Sequence, residues 1–346
     1  MSALPGLNGP ADARLDPNFY ALLGSRVVRF VLKPDVDLNP WIDEAHGRGL
    51  SMLGVIANES MGGMTSVGAA RFYRERYGDT LEYLQVGNEP DHVSPSSWTM
   101  SPQVLNHFMA VFSVEFPDTP IICGGMADGR PEYLDELDPD LYDIVGVQCY
   151  GQRPNDSEDW SETPGNFGNV QRLLPLYVQH SGGKPVAVTE IGLSTKEVSR
   201  AFQARYVGSM LTTLMSLPYC VLAIIFCADD AMVPEFGLFD ENGNPKPSAA
   251  AFMRAAGPIV KPEPEPEPIL MALPIPIYRQ MWQAHMPTAS FQETWGVEKF
   301  WMEQDRWKKL GAVTSMTEYR KGKEAWRTFV GGVIHWNDDT GGELIA

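Results

Sequence analysis

The sequence has few cysteines, few basic residues and no long apolar run, and each scarcity excludes a class of protein. Its 346 residues include 4 cysteines and 6 histidines, without CxxC pairs or histidines at zinc-binding spacing, so zinc-ribbon and disulfide-rich scaffolds are not expected. The cysteines lie in or beside apolar runs, which predicts buried free thiols. No stretch approaches the roughly 18 apolar residues of a membrane span.

Basic residues are outnumbered, with 27 Lys and Arg against 44 Asp and Glu and a net charge of −17. A surface this acidic repels phosphate backbones and anionic lipids, so we expect neither nucleic acid nor membrane partners. The first residues, MSALPGLNGP, carry no signal-peptide pattern. Localisation stays open between the cytoplasm and export by a non-classical or phage route. The motifs GxxxxGK[ST], GxSxG and HExxH are absent, and we predict no metal and no cofactor.

One boundary is visible where proline occupies alternate positions in KPEPEPEP, residues 261–268. Such a segment predicts an extended polyproline spacer. We therefore predict a domain over 1–257, a linker over 258–276 and a small aromatic-rich α+β module over 277–346. Most of the nine tryptophans fall in this C-terminal module.

Within 1–257, apolar runs alternate with segments of helical character. The eight predicted strands are Leu4–Asn8, Arg26–Leu32, Ser51–Ala57, Leu81–Gly87, Pro120–Gly124, Ile144–Tyr150, Pro185–Ile191 and Val221–Cys227. The predicted helices are Pro17–Leu23, Pro40–Arg48, Met64–Tyr77, Gln103–Phe116, Val170–Gln179 and Thr195–Ser216. Continuous apolar strands are typical of parallel sheets buried on both faces, and eight in about 250 residues indicate a (β/α)8 barrel. A doubly wound sheet is the rival, but it usually has a GxGxxG turn.

Two glutamates directly follow apolar strands: Glu89 after LEYLQVGN and Glu190 after KPVAVT. Catalytic groups of (β/α)8 enzymes lie at these C-terminal strand ends. Two carboxylates facing one cleft suit glycoside hydrolysis, in which one protonates the leaving oxygen and the other attacks the anomeric carbon. The alternative is a pair of unrelated salt-bridge acids on barrel loops.

Asn88-Glu89-Pro90, together with Glu190 and Tyr150, resembles the clan A retaining glycoside hydrolases and is similar to families 5 and 39. The segment FGLFDENGNPKPSAAAF, residues 236–252, resembles the end of their eighth repeat. The resemblance implies Glu89 as general acid/base and Glu190 as nucleophile in cleaving β-glycosidic bonds of a poly- or oligosaccharide.

The same resemblance implies supporting roles for three more residues. Asn88 would contact the sugar and Tyr150 would hold Glu190. Arg29 matches the arginine of the second strand, although Arg26 competes for that register.

Two departures favour a different class of function. The eighth strand reads IIFCA without the tryptophan of many members, and Gln148 stands where several families have histidine. A non-catalytic glycan-binding or phage structural protein on a hydrolase barrel is therefore the alternative. An aldolase is weaker, because no predicted strand ends in lysine.

Sugar-binding aromatic residues are also predicted, because ring faces pack on pyranose: Trp98, Trp160 and Phe236, with ordinary loop packing as the alternative for each. Asp229 and Asp230 are expected to be solvated loop acids.

In the tail, Phe329–Trp336 resembles LGFP-like repeats of cell-wall-associated hydrolases. This implies contact with cell-wall glycan, and the alternative is that the tryptophans simply form a small core.

Overall fold

The computed structural model describes residues 3–9, 15–92, 99–127, 129–165 and 168–257, together with four strands nearer the C-terminus. The chain divides into two compact units, Met1–Lys261 and Pro262–Ala346. The predicted linker over 258–276 lies outside the described residues.

The first unit contains a closed barrel of eight parallel strands, which confirms the predicted (β/α)8 fold. The strands are β1 (Leu4–Asn8), β2 (Val27–Val31), β3 (Ser51–Ile56), β4 (Tyr83–Val86), β5 (Ile121–Met126), β6 (Ile144–Gln148), β7 (Val186–Ile191) and β8 (Cys220–Ile225). Each strand pairs with its sequence neighbours, and β1 closes the barrel against β8. Because all strands run the same way, their C-terminal ends meet at one mouth.

Helices cover the outside of the barrel. The described residues of the first unit form α1 (Pro17–Leu23), α2 (Asn39–Gly47), α3 (Ser66–Tyr77), α4 (Pro102–Glu115), α5 (Val170–His180), α6 (Arg200–Ser216) and α7 (Pro247–Ala256). After β5, two 3-10 helices, Pro131–Glu136 and Pro139–Leu141, take the place of an α-helix. Both begin with proline, which lacks the N–H that a preceding turn would use.

The helix predicted from Thr195 begins later, at Arg200. The Ser199 hydroxyl accepts a hydrogen bond from the backbone N–H of Phe202, which satisfies an amide of the first turn and sets the start of α6 there. Strand β6 ends at Gln148, earlier than predicted, so Tyr150 lies in the loop that follows it.

Two apolar clusters stabilise this unit. The larger lies between the strands and the helices and includes Tyr73, Phe112 and Phe252. The smaller fills the barrel interior with Val27, Leu53, Ile122, Ile144, Ala187, Leu222 and Ile224. All four cysteines are buried and free, which confirms that prediction. Among the described helices, none combines the length and apolar character needed to cross a membrane.

In the second unit the structure describes a four-stranded antiparallel sheet. Its strands, in order, are β9 (Tyr319–Lys321), β10 (Glu324–Phe329), β11 (Gly332–Asn337) and β12 (Gly341–Ile345). The register of β10 and β11 pairs Phe329 with Gly332, within the predicted strand-turn-strand segment. The predicted helical start of this module lies outside the described residues.

Candidate active site

The barrel interior becomes polar towards the mouth. Successive residues of a strand point to opposite faces, so inward positions recur every second residue. At the bottom of the barrel the inward positions of four strands are apolar, namely Val27, Tyr83, Ile144 and Ala187. Nearer the C-terminal ends of the same strands, the inward positions are polar, namely Arg29, Gln85, Gln148 and Thr189. All four of these polar residues are buried. Buried polar groups need hydrogen-bond partners, and the partners determine the geometry of the site.

Arg29 on β2 is the centre of this polar layer, with a side chain that is 3% exposed. Its Nη1 lies 2.7 Å from Glu190 Oε1 and donates also to Asn8 Oδ1 at 2.8 Å. Its Nε donates to Gln85 Oε1 at 2.9 Å, and its Nη2 donates to Asn88 Oδ1 at 2.8 Å. The planar guanidinium therefore connects β1, β2, β4 and β7 at one level.

Glu190 lies in β7, one residue before its end, and its side chain is 11% exposed. Arg29 binds its Oε1, and the Tyr150 hydroxyl donates to its Oε2 at 2.9 Å. Burial, and next the Glu190 carboxylate, raise the pKa of Tyr150 well above its usual value. Tyr150 is therefore a protonated donor at neutral pH. A cation and a hydroxyl donor together hold Glu190 as an oriented carboxylate.

Asn88 follows β4, and its side-chain amide has a defined orientation. Its Oδ1 accepts from Arg29 Nη2 at 2.8 Å and from Gln148 Nε2 at 3.0 Å. Both partners can only donate through these nitrogens, so the oxygen of the amide faces them and Nδ2 faces away. Gln85 supports the same turn, since its Nε2 donates to the Gly87 carbonyl at 2.8 Å.

Glu89 is the next residue and has an unusual backbone. Its φ is 49°, in the left-handed region that side chains other than glycine rarely adopt. Its N–H donates to the Gly125 carbonyl on β5 at 3.1 Å, and Gly87 just before it has a φ of 88°. A left-handed residue costs on the order of 1 kcal/mol, and such strain is found most often at functional sites.

Two further aromatic rings pack around Tyr150, whose hydroxyl binds Glu190. Tyr150, Phe226 and Phe236 contact one another edge to face, with ring centroids 5.8 to 6.2 Å apart. Phe226 directly follows β8, at the strand end where the family resemblance implies tryptophan. Phe226 is a site residue that was not predicted, although its place at a strand end was the available signal.

One of the two predicted sugar-binding tryptophans, Trp160, is not brought to this site. Trp160 is 2% exposed and packs against Phe202 and Tyr206 of α6, so it has almost no surface left for a ligand. Trp98 lies outside the described residues.

The expectation that Asp229 and Asp230 are solvated is wrong. They are 7% and 6% exposed, and Asp230 lies 2.6 Å from the buried Lys246 ammonium. Asp230 also accepts from the Gly237 N–H at 2.7 Å. The ion pair between Asp230 and Lys246 therefore holds the loop after β8, which carries Phe236, against the start of α7. A buried carboxylate needs such a partner because burial disfavours its charge.

The polar layer includes residues that sequence analysis missed as site residues, namely Asn8 and Gln85. The signal for Gln85 was a single amide inside the apolar run LEYLQV. Within the described ranges, no group of three or more His, Cys, Asp or Glu side chains is arranged to hold a metal ion.

No protein-family model and no curated protein sequence matches the chain. Its fold is similar to several solved structures of glycoside hydrolases. A GH128 endo-β-1,3-glucanase from Amycolatopsis mediterranei is 15% identical, with a TM-score of 0.52 over 73% of this chain and 99% of that chain. A GH5_18 protein from Bifidobacterium longum subsp. infantis is 17% identical, with a TM-score of 0.54 over 74% and 79%.

Xylanase 10B from Thermotoga maritima is also similar, at 15% identity and a TM-score of 0.51 over 74% of this chain and 95% of that chain. At such identities these likenesses show the fold alone, so the chemistry must be argued from the residues of this chain.

Proposed function

We propose that this protein is a retaining glycoside hydrolase that cleaves β-glycosidic bonds in a poly- or oligosaccharide. One observation carries the proposal: Glu190, in β7 next to its C-terminal end, is nearly buried and has one carboxylate oxygen on Arg29 and the other on Tyr150. Glu89 follows β4, and because the strands are parallel this residue lies at the same end of the barrel as Glu190. Retaining hydrolysis requires two carboxylates with different environments at one site.

Glu190 is the proposed nucleophile. Arg29 and Tyr150 stabilise its charge and fix its rotamer, so that little reorganisation is needed before attack. In the first step, a Glu190 oxygen forms a bond to the anomeric carbon while the bond from that carbon to the leaving oxygen breaks. The product of this step is a covalent glycosyl-enzyme.

Glu89 is the proposed general acid/base. It gives its proton to the leaving oxygen in the first step. In the second step it takes a proton from water, the water oxygen bonds to the anomeric carbon, and the bond from that carbon to Glu190 breaks. The left-handed backbone at Glu89 and its N–H bond to Gly125 support a role that requires a defined position. Both steps balance with carboxylates and water alone.

Asn88 is the proposed ligand of the sugar hydroxyl next to the anomeric carbon. Its Oδ1 is occupied by Arg29 and Gln148, so Nδ2 is the group that can donate to substrate. A hydrogen bond that is stronger in the transition state than in the bound substrate lowers the activation free energy of hydrolysis. The carbohydrate is thus the only partner that the mechanism needs.

The alternative is a glycan-binding barrel without turnover, and Phe226 in place of a strand-end tryptophan favours it. Mass spectrometry of the intact protein, after incubation with a panel of 2-deoxy-2-fluoro glycosides, separates the two. A retaining enzyme accumulates an adduct that maps to Glu190. The Glu190→Gln variant forms none, and the Glu241→Gln variant, changed at an exposed loop acid, labels as wild type does.

Failure to label with any sugar contradicts the retaining mechanism. Glycan binding by the wild-type protein without release of any hydrolysis product then supports the binding barrel. An adduct on another carboxylate contradicts the assignment of Glu190 while keeping the retaining mechanism.

For the C-terminal module we propose contact with cell-wall glycan, supported by its tryptophan-rich sequence. Sedimentation of the full chain with purified cell walls tests this. Substitution of Trp326 and Trp336 by alanine should reduce the bound fraction, and unchanged sedimentation by the folded variant would contradict the proposal.

A further inference from the structure

A pocket of about 320 Å³ opens beside Glu190, between the loops that follow β6, β7 and β8. Its walls include the rings of Tyr150 and Phe236 and the side chains of Pro164 and Leu193. Tyr150 also donates to Glu190, so one ring separates the pocket from the proposed nucleophile. The pocket therefore adjoins the candidate active site across the Tyr150 ring.

Gly192 gives this pocket its shape. A Cβ at this position would lie 2.3 Å from the Phe226 carbonyl oxygen and 3.2 Å from Cδ1 of Phe236. Only glycine therefore allows the Phe236 ring to close against the end of β7. The Asp230–Lys246 ion pair fastens the loop that carries this ring. The aromatic wall is thus built into the fold.

The pocket combines apolar walls with a single carboxylate. Apolar and aromatic walls suit the C–H face of a pyranose ring, and a few polar groups orient it. Besides Tyr150, Glu197 is the one ionisable residue in its lining, and it makes no ion pair with any described side chain. A solvated carboxylate accepts hydrogen bonds from sugar hydroxyls and repels another carboxylate.

We propose that this pocket is a second sugar subsite, which binds an uncharged unit of the same chain and discriminates against uronic acids through Glu197. The inference rests on the proposed function. Phe236 packs on the ring of that unit, and Glu197 accepts from its hydroxyls. The subsite determines which glycans are cut, while Glu89 and Glu190 determine how they are cut.

The first test separates the subsite from the catalytic position. A panel of cello-, laminari-, xylo-, manno- and chito-oligosaccharides identifies a substrate, and the glycosyl fluoride of the same sugar fills the catalytic position alone. Phe236→Leu should lower kcat/KM for the oligosaccharide about tenfold, the worth of one aromatic contact. The loss in kcat/KM for the fluoride should be clearly smaller, because Phe236 reaches the catalytic position only through its ring contact with Tyr150. Equal losses on both substrates, or no loss, would overturn the subsite.

The second test concerns charge. Wild-type protein should cleave the neutral oligosaccharide about tenfold better than the same oligosaccharide oxidised to a uronate next to the cut. Glu197→Lys should remove this preference, whereas the control Glu241→Lys, an equal charge change outside the pocket, should keep it. An unchanged preference in Glu197→Lys would overturn the role of Glu197.

If the wild-type protein hydrolyses neither substrate, the proposed function fails, and titration calorimetry with the same oligosaccharides decides the subsite. Binding that Phe236→Leu weakens and Glu241→Lys does not would support the pocket as a sugar site. Binding that is absent, or that is equal in both variants, would overturn it.

Discussion

Replacement of Arg29 by methionine should strongly destabilise the barrel. Methionine replaces the aliphatic stem of the side chain but removes the guanidinium, and with it the charge and every donor that Arg29 supplies. The Glu190 carboxylate then stays buried without its cation, and Asn8 and Gln85 lose the donor on which their oxygens depend. The change thus disrupts the polar layer while leaving the apolar cores intact.

The structure sets the size of this effect. Both members of the pair are buried, with side chains 3% and 11% exposed at an N–O distance of 2.7 Å. Removing one partner of a buried ion pair costs about 3 to 5 kcal/mol. With an m-value of about 3 kcal/mol/M, the urea midpoint should fall by about 1 to 1.7 M. Urea denaturation followed by fluorescence and circular dichroism measures it, independently of any substrate.

Two further variants make the result interpretable. Arg48→Met removes an exposed ion pair with Glu44, and it should change the free energy of unfolding by less than about 1 kcal/mol. Adding Glu190→Gln to Arg29→Met removes the unpaired charge, so the double variant should be more stable than the sum of the single changes by about 0.5 to 3 kcal/mol. A loss below about 1 kcal/mol for Arg29→Met, or strict additivity, would refute the reasoning.

Further predictions concern the amide, the glycines and the tyrosines. Gln148→Leu removes one of the donors to Asn88 Oδ1 and leaves Arg29. It should lower kcat/KM about tenfold for a glycoside but little for its 2-deoxy analogue, and equal losses would contradict the positioning role. Gly146→Ala places a Cβ 2.1 Å from the Gly124 carbonyl oxygen. In urea denaturation it should lower the free energy of unfolding by about 1 to 3 kcal/mol. The control Gly47→Ala, in open space on α2, should leave that free energy unchanged or raise it. Burial raises the pKa of Tyr206 well above its usual value. Above a pH of about 10, the unfolded chain therefore binds fewer protons than the folded chain, and the free energy of unfolding falls as pH rises. In urea denaturation across this range, Tyr206→Phe should make that fall shallower by up to about 1.4 kcal/mol per pH unit.

The strands and most helices were predictable because their signals are local. A strand buried on both faces is an apolar run, and a helix begins where a side chain can cap it. The segment after β5 was harder, since prolines there begin two 3-10 helices and no helical period is present. The start of α6 was misplaced because the capping role of Ser199 was not recognised.

The candidate catalytic residues were predictable for a related reason. Glu89 and Glu190 each follow an apolar run, and parallel strands must present their C-terminal ends at one mouth. The sequence does not decide between Arg26 and Arg29. The choice depends on which residue of β2 reaches β7, and Arg29 contacts Glu190 across 161 positions of the chain.

By itself, the sequence determined the barrel, the acids at its strand ends and the buried state of the cysteines, since each follows from local pattern. Only the tertiary structure decided that Trp160 packs against α6 instead of facing the mouth, that Asp230 pairs with Lys246, and that Asn88 is oriented by two donors. The physical reason is that a buried polar or aromatic side chain is satisfied by partners distant in sequence. Their identity depends on how the strands and loops come together in space.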